Sequence, residues 1–308
     1  MAARLRVVFA YRPKKRGHGA RIMRVEQLSA MARAHLGDVY EFETRELFRP
    51  GQKRRQRQAL QALRGGVVIF LKGSGYCFDA EGLARLKAET RAICIDHLDG
   101  YFGAGPVFPL ADLHIVASHA ARRALSGAGV EVAHLTHHAD PRIAFRDHGS
   151  DQTLAPAYFG LPRNTVIPET LRSRFSPEDA AYQEDFAPDI KRMETVNLHW
   201  TIRAPGWRGV GAPPAFKPFT KGFNAATAGA NVIADRGEDD AAEYLGEDYP
   251  YLAADASGEA IAEVFARAER GVGGADWRRG LARMAEIRAR IAPAKVMAEL
   301  DGILRRFR

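Results

Sequence analysis

Short apolar runs alternate with amphipathic stretches through the first 135 residues, and this alternation leaves few folds open. Residues 5–11 read as a strand, and residues 20–35 read as a helix with Ile22, Val25, Leu28, Met31 and Ala32 on one face. A weak strand at 39–42 and a helix at 56–63 follow. Residues 67–71, VVIFL, are apolar without a break, as expected of a strand covered on both sides. The series continues with a helix at 80–91 and strands at 92–96 and 113–117. A helix capped by Ser118 then runs to Ser126, and a strand at 130–135 closes the series. Repeated β-α-β units imply a parallel, doubly wound sheet with right-handed crossovers. Ligands in such a sheet lie beyond the carboxyl ends of its strands.

The remainder repeats the theme after a polar, aperiodic stretch at 136–154, the best candidate for a linker. Strands are expected at 155–159, 196–202 and 232–234, and helices at 258–270, 276–291 and 294–307. The acidic Glu238-Asp239-Asp240 opens a further helix. A chain of 308 residues exceeds the usual size of one core, so two α/β domains are expected, at 1–147 and 148–308.

Composition narrows the class further. With 46% hydrophobic and 27% charged residues, the chain is an ordinary globular protein rather than a disordered or fibrous one. No apolar run approaches the ~18 residues of a membrane span, and the first residues carry no signal-peptide cleavage pattern. A cytoplasmic protein is expected. Cys77 and Cys94 have no second pair with which to form a metal site, and both read as buried, reduced thiols. Residues 1–60 hold fifteen Lys and Arg against five Asp and Glu, a local +10 in a chain of net +8. The remaining 248 residues therefore carry −2. A basic edge of this kind steers phosphorylated acceptors or touches an anionic membrane face, or is simply a solvated surface. Nucleic-acid binding is disfavoured, because no aromatic residues are interleaved for base stacking.

One stretch carries chemistry directly: KPFTKGFNAATAGANVIAD, from Lys217 to Asp235. It reads as a loop, a helix with Thr220 as a possible N-cap, a stop at Gly229, and a short buried strand. Lys217 and Lys221 stand at the helix entrance, where free N–H groups and the positive end of the dipole already favour an anion. Small side chains (Ala225, Ala226, Ala228) let a ligand lie close to the helix. Phosphate or pyrophosphate capture is the chemistry this suggests.

The run from Asn224 to Ile233 resembles the donor-site helix of retaining GT-B glycosyltransferases, whose usual register is Glu-Ala-x-Ala-x-Gly-x-Pro-Val-Ile. The resemblance implies two facing Rossmann-like domains and a C-terminal helix crossing back to the first. It also implies a nucleotide-diphosphate sugar against the start of the helix, and a glycan or lipid-linked acceptor. The two family glutamates fall on Asn224 and Phe216. Asparagine still reaches a sugar or ribose hydroxyl and phenylalanine does not, so retention and inversion both stay open. Lys221 and the helix N–H groups would neutralise the leaving diphosphate without a metal or other cofactor. Arg203, at the end of the 196–202 strand, would hold a phosphate bidentately. In the fold it resembles, the loop containing Gly160 and Asn164 runs beneath the diphosphate, although a plain Gly-x-Pro turn fits as well.

On the acceptor side, Asp96, His97 and Asp99 cluster at the carboxyl end of a predicted strand. Asp96 or His97 is the candidate base, and capping and packing are the competing roles. His138, in His137-His138-x-Asp140, is a candidate cleft residue, and four positions in one loop are a weak metal signature. His18, between two glycines, is a candidate phosphate contact. Loss of both motif carboxylates also fits an alternative, a non-catalytic protein that binds nucleotide sugar or glycan.

Overall fold

The computed structural model describes residues 3–13, 19–49, 51–99, 108–175, 190–204, 216–238 and 240–308. They form two compact units. The first takes in Met1–His137, Pro213–Pro218 and Pro293–Arg308, and the second His138–Ala212 and Phe219–Ala292.

The first unit is built on a six-stranded sheet in the order β2-β1-β3-β4-β5-β6, with every pair parallel. The strands are β1 Leu5–Tyr11, β2 Tyr40–Glu46, β3 Val67–Leu71, β4 Ala92–Leu98, β5 Leu113–Val116 and β6 Val132–His134. Its helices are α1 Gly19–Arg21, α2 Leu28–Leu36, α3 Lys53–Leu63, α4 Ala80–Glu89 and α5 His119–Ser126. Alternate strand residues feed two cores. Val7, Phe9, Ile69 and Cys94 pack with Leu28 of α2 and with Val296, Leu300 and Leu304 of the C-terminal helix Pro293–Leu304. Val8, Phe70 and Ile93 pack with Leu63, Leu83 and Leu86 of α3 and α4. Covering both faces is what uninterrupted apolar strands require. Ser118 caps α5 as expected, accepting from the Ala121 N–H at 3.0 Å.

The stretch expected as one regular helix at 20–35 contains a π-helical turn, Ile22–Gln27, between α1 and α2. Such turns re-aim side chains, and here the turn carries a fully buried arginine, Arg24.

The second unit has a four-stranded parallel sheet in the order β10-β9-β8-β7. The strands are β7 Pro156–Tyr158, β8 Leu198–Trp200, β9 Asn231–Asp235 and β10 Leu252–Ala253. The helices are α6 Ile190–Thr195, α7 Thr220–Ala228, α8 Ala241–Leu245, α9 Gly258–Gly271 and α10 Ala275–Arg290. Its core gathers Trp200, Phe219, Phe223, Tyr251, Phe265 and Trp277. The units divide at His137 rather than at 147, because residues after it belong to the second core. Ile143 packs with Met193 and Ala228, and the Arg146 N–H donates to the Ala228 carbonyl at 2.9 Å.

Helix α7 ends where its sequence predicts, at Gly229, which adopts φ +86° and donates its N–H to the last turn. Its start differs from the expectation. Thr220 is the first helical residue and Phe219 stands at the N-cap position without a side-chain cap. Phe219 is buried against Phe223 and Tyr244, and a Cβ on Gly222 would run into its ring. Burial of that ring, not a hydroxyl cap, sets the first turn.

Candidate anion site

The carboxyl end of the second sheet collects charge. Tyr158 ends β7, Thr201 and Arg203 follow β8, Asp235 ends β9 with Glu238 just beyond it, and Lys221 lies in the first turn of α7. The Lys221 ammonium sits 4.6 Å from the centre of the Tyr158 ring, a cation–π distance, and 3.4 Å from its hydroxyl. The Tyr158 hydroxyl donates to the Leu161 carbonyl at 3.1 Å. A Cβ on Gly160 would fall 2.6 Å from that hydroxyl, so glycine lets the loop close over the ring. Arg203 approaches Glu238 with Nε 3.6 Å from Oε1, an ion pair too long for a tight hydrogen bond. Glu238 is buried, and Thr201 Oγ1 lies 2.7 Å from its Oε2. Burial pushes the Glu238 carboxyl up to about 7, although Arg203, Lys221 and the Thr201 hydroxyl pull it down. Burial likewise raises Asp235, against the N–H groups of Gly237 and Glu238 that it accepts from.

Two cations thus stand over a carboxylate that gives up its charge easily, beside the first turn of a helix. Such an arrangement is suited to an anion. Lys221, Arg203, Thr220 and Gly160 all belong to this unit, as does Asn164, whose carbonyl accepts from the Ala204 N–H at 3.2 Å. A small recess beside Lys221 is lined by Phe159, Met193, His199, Trp200 and Asn224. Burial lowers His199 to about 4, and its Nε2 donates to the Met193 carbonyl, so the ring is neutral. Asn224 uses its Oδ1 to accept from the Asp140 N–H at 3.0 Å. His138 is buried in the same unit.

Lys217 belongs elsewhere. In the first unit it pairs with Asp99, which also pairs with Lys72. Burial raises the Asp99 carboxyl, but the two lysines outweigh it and hold that group below the usual carboxylate range. Lys72 and Leu98, at the ends of β3 and β4, both have positive φ, 51° and 54°. Strain of this kind concentrates where a site must hold side chains in place.

Asp96 is buried against Arg24, whose Nε donates to its Oδ2 at 2.6 Å, while the Leu98 N–H donates to Oδ1 at 3.1 Å. Arg24 also donates to the Leu135 and Thr136 carbonyls. His97 is buried, with Nε2 2.8 Å from Nδ1 of His114 and its ring stacked on that histidine. Asp96 and His97 therefore do not face one another as carboxylate and imidazole. Each is tied into the packing of β4. His18 lies outside the described residues.

Sequence reasoning missed Glu238 and Arg24. Glu238 read as part of an acidic helix start, and the signal that marks it is its place directly after a buried strand. Among the described residues no group of three or more His, Cys, Asp and Glu is arranged to hold a metal, and no helix is long and apolar enough to cross a membrane.

No protein-family model matches the chain, and no curated protein does. Solved structures do. The chain is similar to HepE of Anabaena in complex with UDP and glucose, at 11% identity and a TM-score of 0.64, covering 98% of this chain and 100% of that one. It is similar to sucrose-phosphate synthase of Thermosynechococcus elongatus, at 11% identity and a TM-score of 0.66, over 98% and 99% of the two chains. A glycosyltransferase of Rickettsia africae matches at 9% identity and a TM-score of 0.65, over 99% and 98%. At such identity the likeness shows the fold: Rossmann-like parallel sheets of the GT-B type over nearly the whole chain.

Proposed function

We propose that the protein is a glycosyltransferase that moves a sugar from a nucleotide-diphosphate sugar to a hydroxyl of a glycan or lipid-linked acceptor. One observation carries the reading: Lys221, Arg203 and the first turn of α7 converge at the carboxyl end of the second sheet. In a parallel α/β sheet that end takes the ligand. The solved proteins of like fold include complexes with UDP and with UDP-2-fluoro-glucose. A leaving diphosphate needs positive charge placed before reaction, which Lys221, Arg203 and the helix N–H groups supply without calling on a metal. Asn224 cannot provide the carboxylate that the GT-B register places at its position, and the carboxylates near this site are Glu238 and Asp235. The basic first sixty residues fit a phosphorylated acceptor or an anionic membrane face.

A thermal-shift panel tests the reading. UDP, GDP and their sugars are compared with uridine and guanosine, because a ligand that binds only the folded state raises its stability by mass action. A shift from a diphosphate and none from its nucleoside is the expected result. No shift from any diphosphate would sink the proposal.

The engagement of Asp96 with Arg24 favours a second reading, a binding protein without turnover. Nucleotide release from a bound donor separates the two.

A further inference from the structure

Thr201 has two oxygens within reach of one hydroxyl proton. Its Oγ1 lies 2.8 Å from the Ile233 carbonyl and 2.7 Å from Glu238 Oε2. A carbonyl only accepts, and an ionised carboxylate only accepts. With Glu238 ionised, the threonine proton goes to one of these oxygens and the hydroxyl turns a lone pair to the other, the Ile233 carbonyl also accepting from the Thr201 N–H at 3.0 Å. With Glu238 protonated, the glutamic acid donates to Thr201 and Thr201 donates to Ile233, so both short contacts become hydrogen bonds. The Thr201 side chain is buried, and the Glu238 side chain is 1% exposed, so water does not relieve a mismatch easily. The 3.6 Å gap from Arg203 fits the same picture, because a fully engaged Arg–carboxylate pair closes nearer 2.8 Å.

The groups facing Glu238 are Arg203 after β8, Lys221 on α7, Asp235 on β9 and Tyr158 on β7. Two are cations and Asp235 is itself a carboxyl raised by burial. An arriving diphosphate competes with Glu238 for Arg203 and Lys221. Once those cations turn to the ligand, the buried carboxylate loses its counter-charge and takes up a proton.

We propose that Glu238 is a positioning residue that gates the anion site by its proton: ionised, it holds Arg203 back from the ligand, and protonated, donating to Thr201, it releases Arg203 to the diphosphate. The inference rests on the function proposed above. Binding of a nucleotide-diphosphate sugar then draws one proton from solvent whenever Glu238 begins ionised. The proton passes to a Glu238 oxygen, with no other bond made or broken.

The sign follows from burial holding the folded carboxyl above its unfolded value. The stability contributed by that proton is full below the unfolded value and is lost as pH rises through about 7. Affinity for the diphosphate falls as pH rises past about 7, where Glu238 begins ionised and binding must draw a proton.

UDP-glucose is the probe, because its diphosphate is doubly esterified and does not itself titrate near neutrality. Affinity is measured by calorimetry at about pH 6 and about pH 8 for the wild-type protein, Glu238→Gln and Asp235→Asn. We expect wild-type affinity to fall about tenfold across that range, the limit set by one pKa unit of linkage. Glu238→Gln, which keeps the Thr201 contact, should lose the slope and bind at the wild-type's acid-side affinity. Asp235→Asn should keep the slope. In ligand-free melts the wild-type protein should lose melting temperature relative to Glu238→Gln as pH rises. Parallel affinity profiles for the wild-type and Glu238→Gln proteins overturn the role of Glu238 while leaving the donor site standing. A wild-type affinity that rises with pH overturns the role in the same way. Failure of wild-type protein to bind UDP-glucose or any other diphosphate at either pH overturns the function proposed above, and this inference with it.

Discussion

The two sheets carry charge at their carboxyl ends in opposite ways. At the end of the first, Asp96 is closed on Arg24 at 2.6 Å and Asp99 lies between Lys72 and Lys217. At the end of the second, Glu238 stands 3.6 Å from Arg203 and burial pushes its carboxyl toward neutrality. The first edge uses opposite charges to fix strand ends and the strained turns beside them. The second sets two cations, Arg203 and Lys221, around one buried carboxylate. A closed ion pair organises structure, whereas a loose one can exchange its anion for a ligand. Residue type alone does not distinguish the two, since both edges offer acids and bases in the same register of the fold.

Removing a partner from a closed buried pair should be the largest effect. Arg24→Ala strands Asp96 and leaves the Leu135 and Thr136 carbonyls without their donor. We expect a loss of about 3–5 kcal/mol in urea unfolding, the scale for breaking a buried pair on one side. Asp96→Ala should cost about as much, and the double variant less than the sum, because the pair is one unit. Full additivity would break the account of the first edge. At the second edge the effect should appear in affinity instead. Lys221→Ala removes a half-buried cation from the face of Tyr158 and should weaken UDP-glucose binding by about 1–3 kcal/mol, with little change in unfolding. Unchanged affinity in a titration would return Lys221 to the role of a surface residue.

Much of this was legible in the sequence where local physics decides. The apolar runs at 5–11 and 67–71 mark strands, Ser118 marks a helix start and Gly229 a helix end, and the structure has all four. The places of Lys221 in a helix's first turn and of Arg203 after a strand were legible for the same reason. What failed depends on distant partners. Arg24 reads as the polar side of an amphipathic helix until a π-helical turn and a carboxylate seventy-two positions away bury it. Thr220 reads as a cap until the Phe219 ring takes the space over Gly222. Lys217 and Lys221 read as a pair, yet Asp99 claims the first. Strand β10 has two residues, too few to show a period.

The smallest effect discriminates most finely between the edges, because it concerns titration. Asp99→Asn removes the charge between Lys72 and Lys217 but keeps a side chain of the same shape. The Asp99 side chain is 14% exposed and its lysines about a quarter exposed, so solvent screens the pair. We expect a loss of about 1 kcal/mol, near the upper end for a screened pair. The pH dependence has a definite sign. Asp99 is held below the usual carboxylate range in the folded protein, so its contribution is fully present above the unfolded value and is lost only as pH falls through the folded one. Between about pH 5 and pH 8 the deficit of Asp99→Asn should therefore be flat. Over the lower part of that interval, up to about pH 7, the difference between wild-type and Glu238→Gln protein should change with pH, because the carboxyl of Glu238 is shifted the other way. Urea melts of both variants at three pH values suffice. A sloping Asp99→Asn deficit would mean that the lysines do not hold that carboxylate ionised, and the contrast between a closed and an open edge would fail at its first member.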